Sequence, residues 1–293
     1  MIFRTEFEDK CKKIFDSDSK IGLLSTISGD GYPHITLISS ISVKDSSTLM
    51  WGQFSQGLSK DNLRENPKSG FLVVSPDQFW WTGKALYSGN SVNGEDFDYF
   101  NNKPIFRYNS YFGFGKVHYE KLIDVSVGEK LPLLKIALGF LASGALKRKH
   151  TAQLNGSIDS QCTPNENGKI PPYGIKLASG LACLKFISFV DTDGFPRIFP
   201  CMQGQIVNSE ILVFSSFPYG DLLGQIPSGA KTAIFLANLS LESLLLQGRW
   251  YKLERNGGFK NACFETDKVY NSMLPIGGYI YPPEEIPNVF GIK

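Results

Sequence analysis

Apolar and polar residues alternate, or gather in short apolar blocks, through most of the chain. Residues 20–40, "KIGLLSTISGDGYPHITLISS", read as two strands joined at Asp30-Gly31, a pair suited to a hairpin turn. "STLMWG" and "GFLVVS" read as two further buried strands. The polar stretch between them, "QFSQGLSKDNLRENP" (53–67), predicts a short helix ending at Asn66-Pro67. Near the N-terminus, Phe3, Phe7, Cys11, Ile14 and Phe15 recur at helical spacing, which predicts an amphipathic first helix. One longer apolar run, "LPLLKIALGFLASGAL" (131–146), predicts a helix buried between domains, with an interfacial membrane helix as the alternative. It is 16 residues long and contains Lys135, short of the roughly 20 apolar residues that a span requires.

The pattern occurs twice. Asp30-Gly31-Tyr32-Pro33 falls on Asp193-Gly194-Phe195-Pro196 at an offset of 163 residues. The same offset lays "STLMWGQF" over "EILVFSSF" and "SGFLVVS" over "TAIFLAN". A two-residue slip then sets "GKALY" (83–87) on "GRWYK" (248–252). Self-similarity over so long a period predicts two copies of one domain, each of short strands that close into a small barrel. The expected organisation is a first copy over 1–125, an apolar helix and polar linker over 126–178, and a second copy over 179–293. The Pro/Gly-rich tract "NGSIDSQCTPNENGKIPP" marks the linker.

Composition narrows the class. Hydrophobic residues make up 42% and charged residues 20%, enough to bury a core. A net charge of +2 gives no field for non-specific nucleic-acid binding, and Lys147-Arg148-Lys149 reads as the solvated end of a helix. The five cysteines are widely spaced, with no C-x-x-C pair, which points to a reducing, cytoplasmic setting and away from disulfide or zinc scaffolds. The N-terminal residues lack the apolar core of a signal peptide.

"IGLLSTISGDGYPHITLIS" followed by "LMWGQFSQGLSKDNLRENPKSGFLVV" resembles the FMN-binding split barrel of the pyridoxamine 5'-phosphate oxidase-like family. The resemblance is best over 20–125, with a weaker copy over 180–270. It implies a mainly β fold of two split-barrel repeats forming an intrachain pseudo-dimer. It also implies FMN as cofactor, with the chain either a monomer or a homodimer. Carried over residue by residue, the cofactor-binding positions are Thr36, Ser39 and Ser40 on the second strand, Gln53 and Ser55 at the end of the third, and Ser59 and Lys60 in the turn that follows. Lys60 falls where the family places a phosphate-binding lysine. Ser59 and Thr36 stand where an arginine is frequent, which moves phosphate binding toward hydroxyls and backbone N–H groups and away from pyridoxamine phosphate oxidation itself. Opposite Ser59 and Lys60 the second copy has Leu222 and Leu223, beside Asp221, so one FMN per chain is expected. Trp80, Trp81, Arg249 and Trp250 are candidates for the opposite wall, or ordinary core. The Tyr-Asn-Ser triplets at 108–110 and 270–272 read as turn ties or groove lining, with Tyr111, Lys116 and His118 nearby.

No H-E-x-x-H, G-x-S-x-G or P-loop occurs, and "YFGFGKV" lacks the glycine pattern of a dinucleotide site. No catalytic residue and no metal site are assigned; His34 reads as a half-exposed strand residue or one that approaches a cofactor. This agrees with chemistry carried by a flavin. Three functions stand: an FMN-dependent oxidoreductase acting on a small substrate or electron carrier, a non-enzymatic flavin-binding or electron-transfer protein, and a cofactor-free twin-barrel interaction module. Deazaflavin or haem in place of FMN stays open.

Overall fold

The computed structural model describes residues 1–104, 113–157, 169–240, 242–256, 259–271 and 277–284. By compactness the chain divides into two units: Met1–Pro132 with Ser188–Phe199, and Leu133–Ile187 with Pro200–Lys293.

The strands of the first sheet are β1 (Phe3–Arg4), β2 (Ile21–Ile27), β3 (Pro33–Leu37), β4 (Ser42–Asp45), β5 (Thr48–Gln53), β6 (Lys68–Val74), β7 (Phe79–Ser91), β8 (Lys116–Ser126) and β9 (Glu129–Lys130). With them go the helices α1 (Asp9–Phe15), α2 (Leu58–Glu65) and α3 (Glu95–Asn102). The chain continues through α4 (Leu133–Ser157) and α5 (Pro172–Ser179) into β10 (Leu184–Val190), β11 (Pro196–Pro200), β12 (Gln205–Ile206) and β13 (Ile211–Ser215). Then come α6 (Gly220–Gln225), β14 (Ala230–Ala237), β15 (Ser243–Asn256), β16 (Phe259–Asn271) and β17 (Gly278–Tyr281).

The first sheet runs β3-β2-β6-β7-β8-β5-β4 and the second β11-β10-β14-β15-β16-β13-β12. Exchanging each strand for its counterpart in the repeat converts one order into the other. The match extends to single bonds. Ile38 N–H donates to Gly22 O at 2.7 Å and Cys201 N–H to Lys185 O at 2.8 Å; Ser28 N–H donates to Tyr32 O at 2.9 Å and Asp191 N–H to Phe195 O at 2.8 Å. Gly31 and Gly194 both hold positive φ, 82° and 79°, which a side chain would strain, so glycine recurs at that turn position. The two-residue slip is structural as well: a Cβ on Gly83 would meet Asp124 O at 2.3 Å, and one on Gly248 would meet Glu265 O at 2.0 Å. The fold is therefore mainly antiparallel β and duplicated, as expected.

In the first unit the larger hydrophobic cluster draws Leu24 from β2, Val43 from β4, Trp51 from β5, Phe71 from β6, Trp81 from β7 and Leu122 from β8. Strands near both ends of the path reach one core, so the sheet curls around it. α1 closes the open side with Cys11 and Phe15, and Phe7 just before it completes the row. The predicted first helix is shorter than its spacing suggested. Phe3 lies in β1, paired opposite Ser126 of β8, where the sheet backbone takes up the N–H and C=O groups that a longer helix would have satisfied internally. Within the same unit buried Lys84 is held by Asp191 and Asp193, each at 2.7 Å, and Arg197 is held by Asp124 at 2.9 Å.

The helix foreseen over the apolar run forms and extends to Ser157, but its expected burial holds on one side only. Gly139, Ser143 and Leu146 are buried, and Ser143 Oγ accepts from Ser215 N–H at 2.8 Å. Leu134 and Leu141, on another side, are 76% and 69% exposed. Among the described residues no helix is long and apolar enough to cross a membrane. Cys11, Cys183, Cys201 and Cys263 are free thiols, and Cys162 lies outside the described residues.

Among the described residues the core of the first unit holds one carboxyl group, Glu120, fully buried. Trp51 Nε1–H donates to its Oε1 at 2.7 Å, and its Oε2 meets Ser69 Oγ. Ser69 has one proton and also faces Ala85 O at 3.0 Å. Burial pushes the Glu120 carboxyl up from its usual range, which favours the protonated form, against the Ser69 and Trp51 hydrogen bonds that favour the ionised one; in the protonated form it donates to Ser69, which leaves the Ser69 proton for Ala85. Glutamine can reproduce both bonds. Glu120→Gln is expected to change unfolding free energy by less than about 1 kcal/mol, whereas Glu120→Ala costs about 2–4 kcal/mol through the cavity and the stranded Trp51 and Ser69 groups. Urea unfolding checks the pair, and equal losses in the two variants would show that Glu120 is ionised.

Candidate functional site

α2 begins after Gly57 with no side-chain cap on its first N–H groups, and ends where Pro67 forces Asn66 into extended backbone. It lies over β2 and β3 through two polar ties. Ser59 Oγ bonds Thr36 Oγ1, and Asn62 Nδ2 donates to Thr26 Oγ1 at 3.0 Å. Leu63 completes the inward face. Ser59 and Asn62 in "GLSKDNL" are thus bolts that hold the helix start against the sheet.

Lys60 differs. It is only 8% exposed, and its ammonium reaches over the ring of Trp51, 5.9 Å from the centroid. Among the described residues the ammonium has no carboxylate or hydrogen-bond partner; Asp61, which favours its charge, points outward to Arg64 at 2.9 Å. Burial lowers the Lys60 pKa, with Asp61 opposing it in part.

Around this cation stand two imidazoles. His118 lies opposite Trp51 in the β5–β8 register and stacks on it at 4.0 Å with 10° between the planes. Its Nε2 bonds Gln53 Oε1 at 2.7 Å and its Nδ1 bonds Tyr87 Oη at 3.2 Å; Asn90 Nδ2 donates to that same Oη at 3.0 Å. Since the Gln53 carbonyl oxygen only accepts, His118 carries its proton on Nε2 and receives the Tyr87 proton at Nδ1. Proton donation therefore runs in one direction, from Asn90 through Tyr87 and His118 to Gln53. Burial and the charge of Lys60 push both His34 and His118 down to about 4, so both are neutral near pH 7. His34 is buried and not the half-exposed strand residue expected, because α2 covers its face of β3.

The remaining expected positions separate. Ser40 donates to Gly52 O at 2.9 Å and accepts from Gly52 N–H at 3.0 Å, which uses its hydroxyl to pin the β3–β4 loop to β5. Gln203 does the equivalent work in the repeat, donating to Ser215 O at 3.1 Å. Ser39 is exposed and Ser55 half-buried on the loops flanking this region. Trp81 lies in the core: Phe15 packs against it edge-on at 5.9 Å and Gly128 lies against its indole. Trp80 and Trp250 are likewise enclosed, at 1% and 0% exposure. Arg249, in the second unit, is half-exposed near Asp267 at 3.7 Å. Leu223 is buried on α6, where the first repeat has Lys60. Residues 108–111, including the first Tyr-Asn-Ser triplet, lie outside the described residues.

The residues overlooked in the sequence are Trp51 and Glu120. Their signal was alternation in "KVHYEKL", which puts His118 and Glu120 on one face of β8, diagonal to Gln53 and Trp51. Among the described residues no group of His, Cys, Asp and Glu could hold a metal ion.

No protein-family model matches the chain, and no curated protein is significantly similar to it. Among solved structures it is similar to an FMN-binding protein from Syntrophomonas wolfei subsp. wolfei, at 19% identity and a TM-score of 0.36 over 42% of this chain and 86% of that one. It is also similar to a candidate pyridoxamine 5'-phosphate oxidase from Lactobacillus delbrueckii, at 16% identity and a TM-score of 0.34 over 42% of this chain and 96% of that one. General Stress Protein 26 from Bacillus anthracis str. Sterne matches at 18% identity and a TM-score of 0.32, over 42% of this chain and 97% of that one. Each of these similarities covers about two-fifths of this chain.

Proposed function

We propose that the first repeat binds the phosphate of FMN at the start of α2 and that the chain is a flavoprotein oxidoreductase acting on a small substrate or electron carrier. The observation that carries this reading is Lys60, a buried cation without a counter-charge beside an uncapped helix start. A dianionic phosphate supplies the charge that Lys60 lacks and accepts from the free N–H groups of the helix. Neutral His34 and His118 leave Lys60 as the cation that the phosphate meets, and Gln53, held by His118, offers its amide donors toward the rest of the ligand. When bound, the flavin ring supplies the hydride or electron chemistry, and the protein supplies position and charge. The second repeat, with Leu222 and Leu223 at the matching turn, offers no equivalent charge, so one cofactor per chain is expected.

Titration of the purified protein with FMN, followed by flavin fluorescence, tests the site. Lys60→Ala is expected to weaken binding by about 1.5–3 kcal/mol, the value of a charge-assisted hydrogen bond, while Leu223→Lys creates no second site. Unchanged affinity in Lys60→Ala would remove the phosphate assignment. Anaerobic mixing of loaded protein with nicotinamide cofactors then separates enzyme from carrier, since turnover with bleaching of the flavin is expected of an enzyme.

The two neutral histidines also predict a pH response of the ligand-free fold. Each has a folded pKa of about 4 against 6.5 unfolded, so the unfolded chain takes up protons that the folded one refuses. Their contribution is complete above pH 6.5 and is lost as pH falls toward 4, by up to about 1.4 kcal/mol per pH unit for each. Glu120, with a raised pKa, acts in the opposite sense, so the comparison is between variants. His118→Gln should lose about 2 kcal/mol less than wild type between pH 7 and pH 5 in urea unfolding. Parallel losses in the two proteins would mean that His118 is protonated in the fold.

A further inference from the structure

One helix of the second unit exposes apolar residues in a row. Along α4, Leu134, Leu138 and Leu141 are 76%, 50% and 69% exposed, and Ala145 is exposed with them. Their spacing of i, i+4, i+7 and i+11 forms one continuous stripe. The helix is anchored elsewhere on its circumference, through Gly139, Ser143 and Leu146, by the bond to Ser215 and by Gln205 Nε2–H donating to Phe140 O at 3.1 Å. The stripe therefore stays presented while the helix is fixed. One turn beyond Ala145, the exposed Arg148 and Lys149 bracket the stripe. Between Leu131 and Ser157 there is no Asp or Glu, while Lys135, Lys147, Arg148 and Lys149 are all cationic.

Exposed leucines in a row need a cover, and the charge around them selects its chemistry. A second copy meeting the same stripe would bring only further cations, since this segment carries no carboxylate. A neutral apolar partner would leave Arg148 and Lys149 without compensation. An anionic lipid surface answers both features: acyl chains take the leucines and headgroups take the cations. We propose that α4 is a peripheral docking element that lays its Leu134–Leu138–Leu141 stripe on an anionic membrane surface, with Arg148 and Lys149 on the headgroups. The helix lies in the interface and does not cross it. This goes beyond the flavin reading and does not depend on it.

The test is co-flotation of the full chain with vesicles of phosphatidylcholine alone or with about one-third phosphatidylglycerol, together with sedimentation velocity of the protein without lipid. Association with the anionic vesicles alone, weakened by high salt, is the expected result. Arg148→Gln/Lys149→Gln should lower partitioning by about 25-fold, or about fivefold per cation. Leu138→Gln/Leu141→Gln should lower it by at least about tenfold. Both sets of substitutions are at exposed positions, so an unchanged thermal midpoint is expected and shows that the fold is intact. Failure of the wild-type chain to float, or equal binding to both kinds of vesicle, overturns the proposal. A lipid-free dimer that Leu138→Gln/Leu141→Gln disperses also overturns it, and assigns the stripe to a second copy.

Discussion

A lysine ammonium taken out of water without a counter-charge is the interaction on which the first repeat turns. An isolated buried cation costs several kcal/mol, and a chain that keeps one must enclose it, lower its pKa or supply an anion. Here the surroundings are arranged so as not to raise that cost. The two imidazoles nearest to Lys60 are held neutral, burial favours the protonated form of the carboxyl group deeper in the core, and the aromatic face of Trp51 supplies the weak attraction of a ring quadrupole. The positive end of the helix dipole adds to the same local field. All of these features leave a positive potential unspent at one point on the first sheet.

The second repeat shows that this arrangement is separable from the fold. Strand order, hairpin turns and individual backbone bonds are common to the two copies, and so is the polar staple from the β3–β4 loop to β5, in which Ser40 is replaced by Gln203. At the helix after the β5-equivalent strand the copies part: Lys60 becomes Leu223, a core residue. A barrel needs its register and its turns; it does not need a charge at that helix start. The difference lies in a six-residue helix that tucks a leucine inward, while the eight-residue α2 carries its lysine over an aromatic ring.

Much of this was legible in the chain because it rests on local rules. Asp-Gly-aromatic-Pro fixed both hairpins, Pro67 fixed the end of α2, and the 163-residue offset laid strand on strand, the same offset at which backbone bonds recur. The site was legible in part. Lys60 stood out as a charge without a counterpart in the repeat. Ser59, Thr36 and Ser40 looked equally available, yet their hydroxyls tie the protein to itself, since a hydroxyl beside a strand meets a hydroxyl or a backbone group as readily as a ligand. Trp81 and Trp250 were ambiguous because a tryptophan in a strand suits a core and a groove alike. Glu120 was hidden for the opposite reason: a glutamate among lysines reads as solvated, and only the alternation of β8 turns it inward.

The direction of the Asn90–Tyr87–His118–Gln53 chain has a consequence at the rim of the sheet. Each member has its donor and acceptor ends matched to those of its neighbours, so the series behaves as a ratchet with a single permitted orientation. Its outermost pawl is the carboxamide of Asn90, exposed to solvent. The orientation of the innermost amide is therefore coupled to that of a surface residue that a search centred on Lys60 would pass over.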